Sequence, residues 1–145
     1  MRKIIAWEHG RVGSWIQSHG GGFYRPGGKC LGLEKDGELI AGVLYDYHNG
    51  ASIYTHIAVT GRLDREFLHV IFDYPFRQLG AKVLIGLVAE SNVKSRKFVE
   101  HLGFTLTATI PEGHPDGALL IYTMQADSCR WLRSNHVQAR RSRAA

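Results

Sequence analysis

The chain has 145 residues, 44% of them hydrophobic and 10% aromatic, which suits one globular domain with a buried core and leaves no room for a second. No apolar run approaches the roughly 18 residues of a membrane helix, and the first residues hold too short an apolar stretch for a secretion signal, so we expect a cytoplasmic protein. Five arginines at and after Arg130 account for the net charge of +5, because the residues before them carry 13 basic and 13 acidic side chains, and this balance disfavours a folded nucleic-acid-binding surface.

The chain begins with a short apolar strand, KIIAW, over Lys3 to Trp7. Residues Arg11 to His19 then place Val12, Trp15 and Ile16 on one helical face, which predicts a helix. The glycine-rich stretch from residue 20 to residue 28 ends that helix and forms a flexible loop. It lacks the Gly-Lys-Ser/Thr ending of a nucleotide-binding P-loop, so we exclude that site.

Two turn dipeptides predict a three-stranded antiparallel meander. They are Asp36-Gly37 and Asn49-Gly50, and both accept the positive φ of tight hairpin turns. The strands that they join cover residues 29–34, 39–48 and 51–59.

A core-packed helix is predicted from Asp64, its N-cap, to Leu79, because apolar residues recur there at helical spacing. Pro75 lacks a backbone donor and should loosen the last turn before Gly80 ends the helix. The crossover through this helix makes the buried strand that follows, at 81–89, parallel to the strand at 51–59.

The last third of the chain predicts one helix and one hairpin. The helix covers Asn92 to His101, with Gly103 as its C-cap. Strands over Thr105–Ile110 and Ala118–Met124 follow, joined by the turn-rich loop Pro111–Gly117. The remaining chain lacks apolar periodicity, so we expect a folded domain over residues 1–133 and a basic, disordered tail over 134–145 whose only nucleic-acid role is weak contact with a polyanion.

Neither cysteine nor histidine spacing predicts a metal site. Cys30 and Cys129 lie far apart in the sequence, and the histidines show no paired spacing with cysteines or carboxylates. We expect two reduced, buried thiols and no bound metal.

The segment after the buried strand carries a recognisable pattern: Val88, then Asn92, Ser95, Phe98, Glu100 and Leu102-Gly103-Phe104. It resembles the V-x-x-x-N-x-x-A-x-x-L-Y-E-K-L-G-F motif of the GNAT N-acetyltransferases. The resemblance implies an α/β (α+β) fold with a mixed, mostly antiparallel central sheet of six to seven strands and helices on both faces, the parallel central strands at 51–59 and 81–89 splaying apart. The closing DGALLIYTM and CRWL stretches resemble a phage-associated branch.

The resemblance implies acetyl-CoA as acyl donor. Ile57, Ala58 and Val59 would then offer a backbone edge to the pantetheine chain. Asn92, Ser95 and Phe98 would line the other side. Capping of the helix is the alternative for Asn92, and ordinary helix packing is the less favoured alternative for Ser95 and Phe98.

The usual pyrophosphate signature, Q/R-x-x-G-x-G/A, is absent. In its place the chain has Gly61, Arg62 and Arg65 around a helix start, where free N–H groups and two arginines suit a phosphate. Asp64 would oppose the anion, and a surface turn with solvated arginines is the alternative.

Catalysis requires a base and a proton donor. By resemblance, Val99 stands where the family often has a tyrosine acid. Our first candidate base is His56, whose imidazole titrates in the right range unless it lies on the packed face of its strand. Glu90 is a second candidate base, and Tyr122 is a possible replacement acid.

The acceptor pocket has weaker signals. Tyr45, Asp46, Tyr47 and His48, with His114 and Asp116, would suit a cationic amine, and solvated hairpin ends explain them equally well. We therefore expect acetyl transfer to a primary amine of a small molecule or protein by direct attack in a ternary complex. A non-catalytic acyl-CoA-binding or protein-interaction module is the alternative, and a homodimer is left open.

Overall fold

A computed structural model describes residues 1–20 and 22–132, so the expected basic tail over 134–145 lies outside the described residues. In chain order the strands are β1 (Arg2–Ile5), β2 (Lys29–Lys35), β3 (Glu38–Asp46), β4 (Ser52–Val59), β5 (Val83–Ala89), β6 (Thr105–His114) and β7 (Gly117–Gln125). The helices are α1 (His9–Ser18), α2 (Arg65–Asp73), which continues into a π-helical turn (Tyr74–Gln78), and α3 (Val93–Leu102), and a 3-10 turn (Ala126–Ser128) follows β7.

All seven described strands form one sheet in the order β1-β2-β3-β4-β5-β7-β6. Only β4 and β5 are parallel, and the other five neighbouring pairs are antiparallel. The predicted mixed, mostly antiparallel sheet is therefore confirmed, and so is the parallel central pair.

The sheet is covered on both faces. On one face α1 supplies Val12 and Ile16, which pack with Leu44 and Ala58. The larger core lies on the other face, under α2 and α3. Its largest members include Tyr45, Phe67, Phe72, Leu84, Leu102, Leu120 and Tyr122.

Local turn chemistry explains the meander. Asp36 and Gly37 both have positive φ, 53° and 87°, as a tight hairpin turn requires. The Asn49 side-chain oxygen accepts hydrogen bonds from the backbone N–H groups of Ala51 and Ser52 at 2.9 and 2.8 Å. Strand β3 ends at Asp46, two residues before the predicted end, because Tyr47 has a φ of 54° and leaves the extended conformation.

The helix after β4 is capped as predicted. Asp64 Oδ1 accepts a hydrogen bond from the Phe67 N–H at 2.8 Å. The α-helix ends at Asp73, and Pro75 lies in the π-helical turn that replaces the last predicted α-helical turns. A missing N–H donor explains this widening, and Gly80, with a φ of 73°, ends the segment.

The final hairpin corrects the predicted loop at Pro111–Gly117. Strand β6 runs on to His114, so only Pro115 and Asp116 form the turn. Pro111 is tolerated because β6 is an edge strand of the sheet. The register shift between Ile110 and His114 and the positive φ of Glu112, 60°, mark a bulge that absorbs the extra residues.

No helix within residues 1–20 and 22–132 is both long and apolar enough to cross a membrane.

Candidate functional site

The central parallel pair opens partway along its length. Strands β4 and β5 pair at only three positions, the last being Tyr54 with Ile85. Beyond it β4 continues to Val59 and β5 continues to Ala89. Each strand keeps its outer antiparallel partner along this stretch, so the opening is confined to the space between β4 and β5. The expected splay of the two strands is confirmed.

A cavity of about 680 Å³, here called the first cavity, lies between the end of β4 and α3. Seven of the nine residues predicted to contact a coenzyme line it: Ile57, Ala58, Val59, Gly61, Asn92, Ser95 and Phe98. The structure brings these seven together although they come from two separate stretches of the chain. The splay and α3 therefore form the two walls of this cavity.

A second cavity of about 350 Å³ adjoins the first. The two share five lining residues: Gly20, Ile57, Asn92, Ser95 and Phe98. The second cavity passes through the splay, between Thr55–Ile57 of β4 and Gly86–Ala89 of β5, and it also contacts Val99 and His114. A ligand in the first cavity and a ligand in the second can therefore meet beside Ile57.

Asn92 caps the start of α3. Asn92 Oδ1 accepts a hydrogen bond from the Ser95 N–H at 3.1 Å, so the capping role of Asn92 is observed while the residue also borders both cavities. The first turn of α3 has no acidic residue. It carries Lys94 and Arg96 instead, followed by Lys97, although a helix N-terminus disfavours cations.

Lys94 also lines the first cavity, although it was not among the residues predicted from the sequence to contact a coenzyme. The signal that could have identified it is this run of cations directly after an N-cap. His19, Leu63, Leu68, His101 and Trp131 also line the first cavity, and no local sequence signal distinguishes them because distant elements bring them together.

Arg62 and Arg65 line neither cavity, and both side chains are exposed. The Arg62 carbonyl accepts a hydrogen bond from Arg2 Nη1 at 2.5 Å. Asp64 caps α2 and lies 3.7 Å from the same guanidinium. The turn after β4 therefore contributes Thr60, Gly61 and Leu63 to the first cavity, whereas its arginines point elsewhere.

His56 lies on the α1 face of β4 and lines the second cavity. It pairs across the sheet with Leu44, which belongs to the core under α1. Burial lowers the pKa of His56 below its usual 6.5, and the negative charge of Asp46 opposes that shift only in part. The imidazole is therefore unprotonated at neutral pH and able to accept a proton.

Gly22 fits closely against His56. A Cβ at Gly22 would lie 2.6 Å from His56 Cγ and 2.7 Å from Nδ1, and the φ of Gly22 is 109°. A glycine thus permits the loop after α1 to cover the imidazole.

Glu90 and Tyr122 do not meet His56. Glu90 is exposed in the turn after β5 and lines neither cavity. Tyr122 is fully buried, and its O–H donates to Glu100 Oε2 at 2.6 Å. Burial, with the carboxylate of Glu100, raises the pKa of Tyr122, which makes this phenol a poorer proton donor.

Of the residues expected in an acceptor pocket, only His114 borders the second cavity. Tyr45 is buried, and its O–H donates to the Ile71 carbonyl at 2.5 Å. Arg25 binds Asp46 at 3.1 Å and stacks on Tyr47, 4.2 Å from the ring centroid. Arg25, Asp46 and Tyr47 therefore form a separate polar cluster at the end of β3.

No protein-family model matches the chain, and no curated protein matches it in sequence. Solved structures match it in fold. The spermidine/spermine N-acetyltransferase SpeG from Vibrio cholerae has a TM-score of 0.71 and 14% identity over 92% of this chain and 99% of that chain. The ribosomal-protein-S18-alanine N-acetyltransferase from Escherichia coli has a TM-score of 0.62 and 16% identity, over 87% of this chain and 94% of that one.

The yncA protein of Salmonella typhimurium, solved with its cofactor acetyl-CoA, has a TM-score of 0.62 and 15% identity over 89% of this chain and 96% of that chain. The chain therefore has the fold of the GNAT acetyltransferases, as its α3 motif predicts.

Proposed function

We propose that this GNAT-fold protein is an acetyl-CoA-dependent N-acetyltransferase that acylates a primary amine. The observation that carries the proposal is the splay between β4 and β5. It leaves one side of β4 without a strand partner beyond Tyr54, along the wall of the first cavity, and this cavity adjoins a second one that contains His56. One cavity suits the acyl donor, and the other suits the amine.

The lining fits the parts of acetyl-CoA. A pantetheine arm carries amide groups, and an unpaired strand edge can hydrogen-bond such groups as it would another strand. The edge at Ile57, Ala58 and Val59 provides that partner. Lys94 and the N-terminus of α3 supply positive charge for the anionic end of the molecule. When bound, acetyl-CoA supplies an activated thioester.

His56 serves as the base in this proposal. It accepts the proton that the amine loses as the amine nitrogen bonds to the acetyl carbon in a ternary complex, while the carbon–sulfur bond breaks and its electron pair leaves with sulfur. Its half-buried, unprotonated imidazole and its place in the second cavity support this role. Glu90 and Tyr122 receive no role, since neither borders a cavity.

The acceptor is a primary amine on a small molecule or on a protein. Among proteins of this fold, SpeG acts on spermidine and spermine, and the Escherichia coli enzyme acts on the alanine of a ribosomal protein. Among the described residues, the second cavity is lined mainly by glycine, apolar residues and two histidines, and none of them is a carboxylate. A neutral or singly charged amine therefore suits it better than a polyamine.

A non-catalytic acyl-CoA-binding module is the second candidate. Val99 favours it, because this apolar side chain borders the second cavity at the position where the resembled family often has a tyrosine acid.

Calorimetric titration with acetyl-CoA and CoA tests the binding part of the proposal. Ser95→Trp should abolish binding by filling the space between the two cavities. Ser14→Trp on the exposed side of α1 is the matched control and should bind like the wild type. A wild-type protein that binds neither compound contradicts both candidate functions.

An assay of CoA release with a panel of primary amines separates the two candidates. Release that depends on an amine and falls at least tenfold in Ser95→Trp supports the enzyme. Tight binding without amine-dependent release from any member of the panel favours the module.

A further inference from the structure

Thr55 holds a buried hydroxyl at the point where the sheet opens. It is the first residue of β4 beyond the last pair with β5, and its side chain is 5% exposed. Its Oγ1 is buried from solvent and has no hydrogen-bond partner in the described part of the chain. Thr55 nonetheless borders the second cavity.

A buried hydroxyl without a partner destabilises a fold, because it loses its bonds to water and gains none. Valine has nearly the same shape and would avoid that loss. The cavity lining does not explain the hydroxyl either, since Phe98, Val99 and Phe104 offer only apolar side chains, and no described polar group of the lining is hydrogen-bonded to Oγ1. A ligand that enters the cavity can supply the missing partner.

The position of Thr55 along β4 indicates which part of a ligand it meets. Ile57, Ala58 and Val59 line the first cavity, whereas Thr55 lies two residues before Ile57 and lines only the second. A thioester whose arm follows the β4 edge therefore reaches Thr55 with its reacting end.

The position of Thr55 across β4 is equally specific. Thr55 pairs across the sheet with Tyr45 of the larger core, and His56 pairs with Leu44 of the core under α1. Because successive side chains of a strand point to opposite faces, Thr55 faces the α2–α3 side while His56 faces α1. In acyl transfer the attacking nitrogen and the departing sulfur are different substituents of the same carbon. Two adjacent strand residues on opposite faces can therefore contact the nitrogen and the sulfur separately.

We infer, building on the proposed N-acetyltransferase function, that the Thr55 hydroxyl donates a hydrogen bond to the thioester sulfur as it leaves. The nitrogen–carbon bond forms, the carbon–sulfur bond breaks, and its electron pair stays on sulfur. Thr55 keeps its proton and stabilises the developing thiolate, which takes a proton from solvent after release. His56 holds the proton lost by the amine.

The test compares Thr55→Val, Thr55→Ser and the exposed-strand control Thr109→Val. Each full-length protein is saturated with CoA, and the ultraviolet absorbance of the thiolate is followed against pH. We expect the pKa of the bound CoA thiol to rise by about one unit in Thr55→Val, a tenfold change in the thiol–thiolate equilibrium. Thr55→Ser and Thr109→Val should match the wild type.

Thermal unfolding accompanies this titration, because a merely structural threonine would show itself there. We expect Thr55→Val to unfold at the same temperature as the wild type or higher. In amine-dependent turnover its kcat should fall about tenfold at an unchanged KM for acetyl-CoA.

Different results would overturn the role of Thr55 and the proposed function. An equal thiol pKa in wild type and Thr55→Val, with CoA bound to both, overturns the role of Thr55 and leaves the proposed function intact. A wild-type protein that binds neither CoA nor acetyl-CoA overturns the proposed function, and the role of Thr55 with it.

Discussion

At the scale of single residues, the proposed chemistry depends on two neighbours in β4 that have opposite surroundings. His56 lies half-buried beneath the loop after α1, and its pKa is lowered by burial. Thr55 is buried on the face of the larger core, and its hydroxyl lacks a hydrogen-bond partner among the described residues. The sequence alone gives both residue types, but the face on which each lies follows from the register with β3 and β5.

The pH dependence of turnover tests His56. Because its pKa lies below 6.5, the wild-type rate should rise with pH through that pKa and gain nothing further from His56 above it. His56→Gln should lower kcat/KM by about 100-fold, the lower range for loss of a general base. In a plot of turnover against pH, the variant should also lose the rise that comes from deprotonation of His56. Only the rise that comes from deprotonation of the substrate amine should remain. If His56→Gln keeps the wild-type kcat/KM and the wild-type dependence on pH, His56 has no role in the mechanism.

The contact between Gly22 and His56 gives a second test. Gly22→Ala places a Cβ within 2.6 Å of the ring and should displace it, so we expect turnover to fall about tenfold. Gly27→Ala is the matched control, because Gly27 also has positive φ, 99°, but nothing lies within 4 Å of its Cβ position. An equal fall in both variants would assign the loss to backbone strain, and wild-type turnover in Gly22→Ala would contradict a role for the contact.

At the scale of elements, local chemistry made the starts of α2 and α3 and the end of α3 predictable, whereas α2 ends at Asp73, earlier than predicted. Asp64 and Asn92 accept hydrogen bonds from the N–H groups three residues on, and Gly103 ends α3 with a φ of 113°. Those signals act within a few residues of one another. The length of β6 was not predictable in this way, because Pro111 is tolerated only through the edge position of that strand.

Asp64 caps the N-terminus of α2, but its negative charge would repel an anion bound at the same helix end. Asp64→Asn keeps a good N-cap and loses the partly exposed ion pair with Arg2, so the free energy of unfolding should change by less than about 1 kcal/mol. Loss of the negative charge beside the first cavity should tighten CoA binding a few-fold at low salt.

Asp127→Asn, in the exposed turn after β7, controls for the change in net charge. Calorimetry at two salt concentrations makes the comparison. An unchanged affinity in Asp64→Asn would place the anionic end of the coenzyme away from α2, toward Lys94.

At the scale of the whole molecule, the sequence predicted the mostly antiparallel sheet and its parallel central pair, but it did not predict which residues line the two cavities. Arg62 and Arg65 have suitable chemistry and still lie outside both cavities. Trp131 and His19 line the first cavity from opposite ends of the chain. Which residues line a cavity depends on how the helices pack on the two faces of the sheet, and no local sequence pattern predicts it.

Global stability at alkaline pH tests the buried thiol under α1. Burial, with the charge of Asp46, raises the pKa of Cys30 from 9.0 to about 12. The unfolded chain therefore loses this proton first, and stability should fall as pH rises from 9 toward 12, by at most about 1.4 kcal/mol per pH unit. Cys30→Ala removes this contribution.

Urea unfolding of both proteins across that pH range measures the effect. The free-energy difference between wild type and Cys30→Ala should shrink as pH rises. A constant difference would mean that the thiol titrates alike in the folded and unfolded states.

The proposed function requires the open edge of β4 to pair with the acyl donor. Amide hydrogen exchange of the peptide covering residues 55–61 measures this directly, with and without acetyl-CoA. We predict that exchange slows on binding there, while the β6 peptide over residues 105–113, on the far edge of the sheet, exchanges at the same rate. Saturating acetyl-CoA that leaves exchange at 55–61 unchanged would contradict the account.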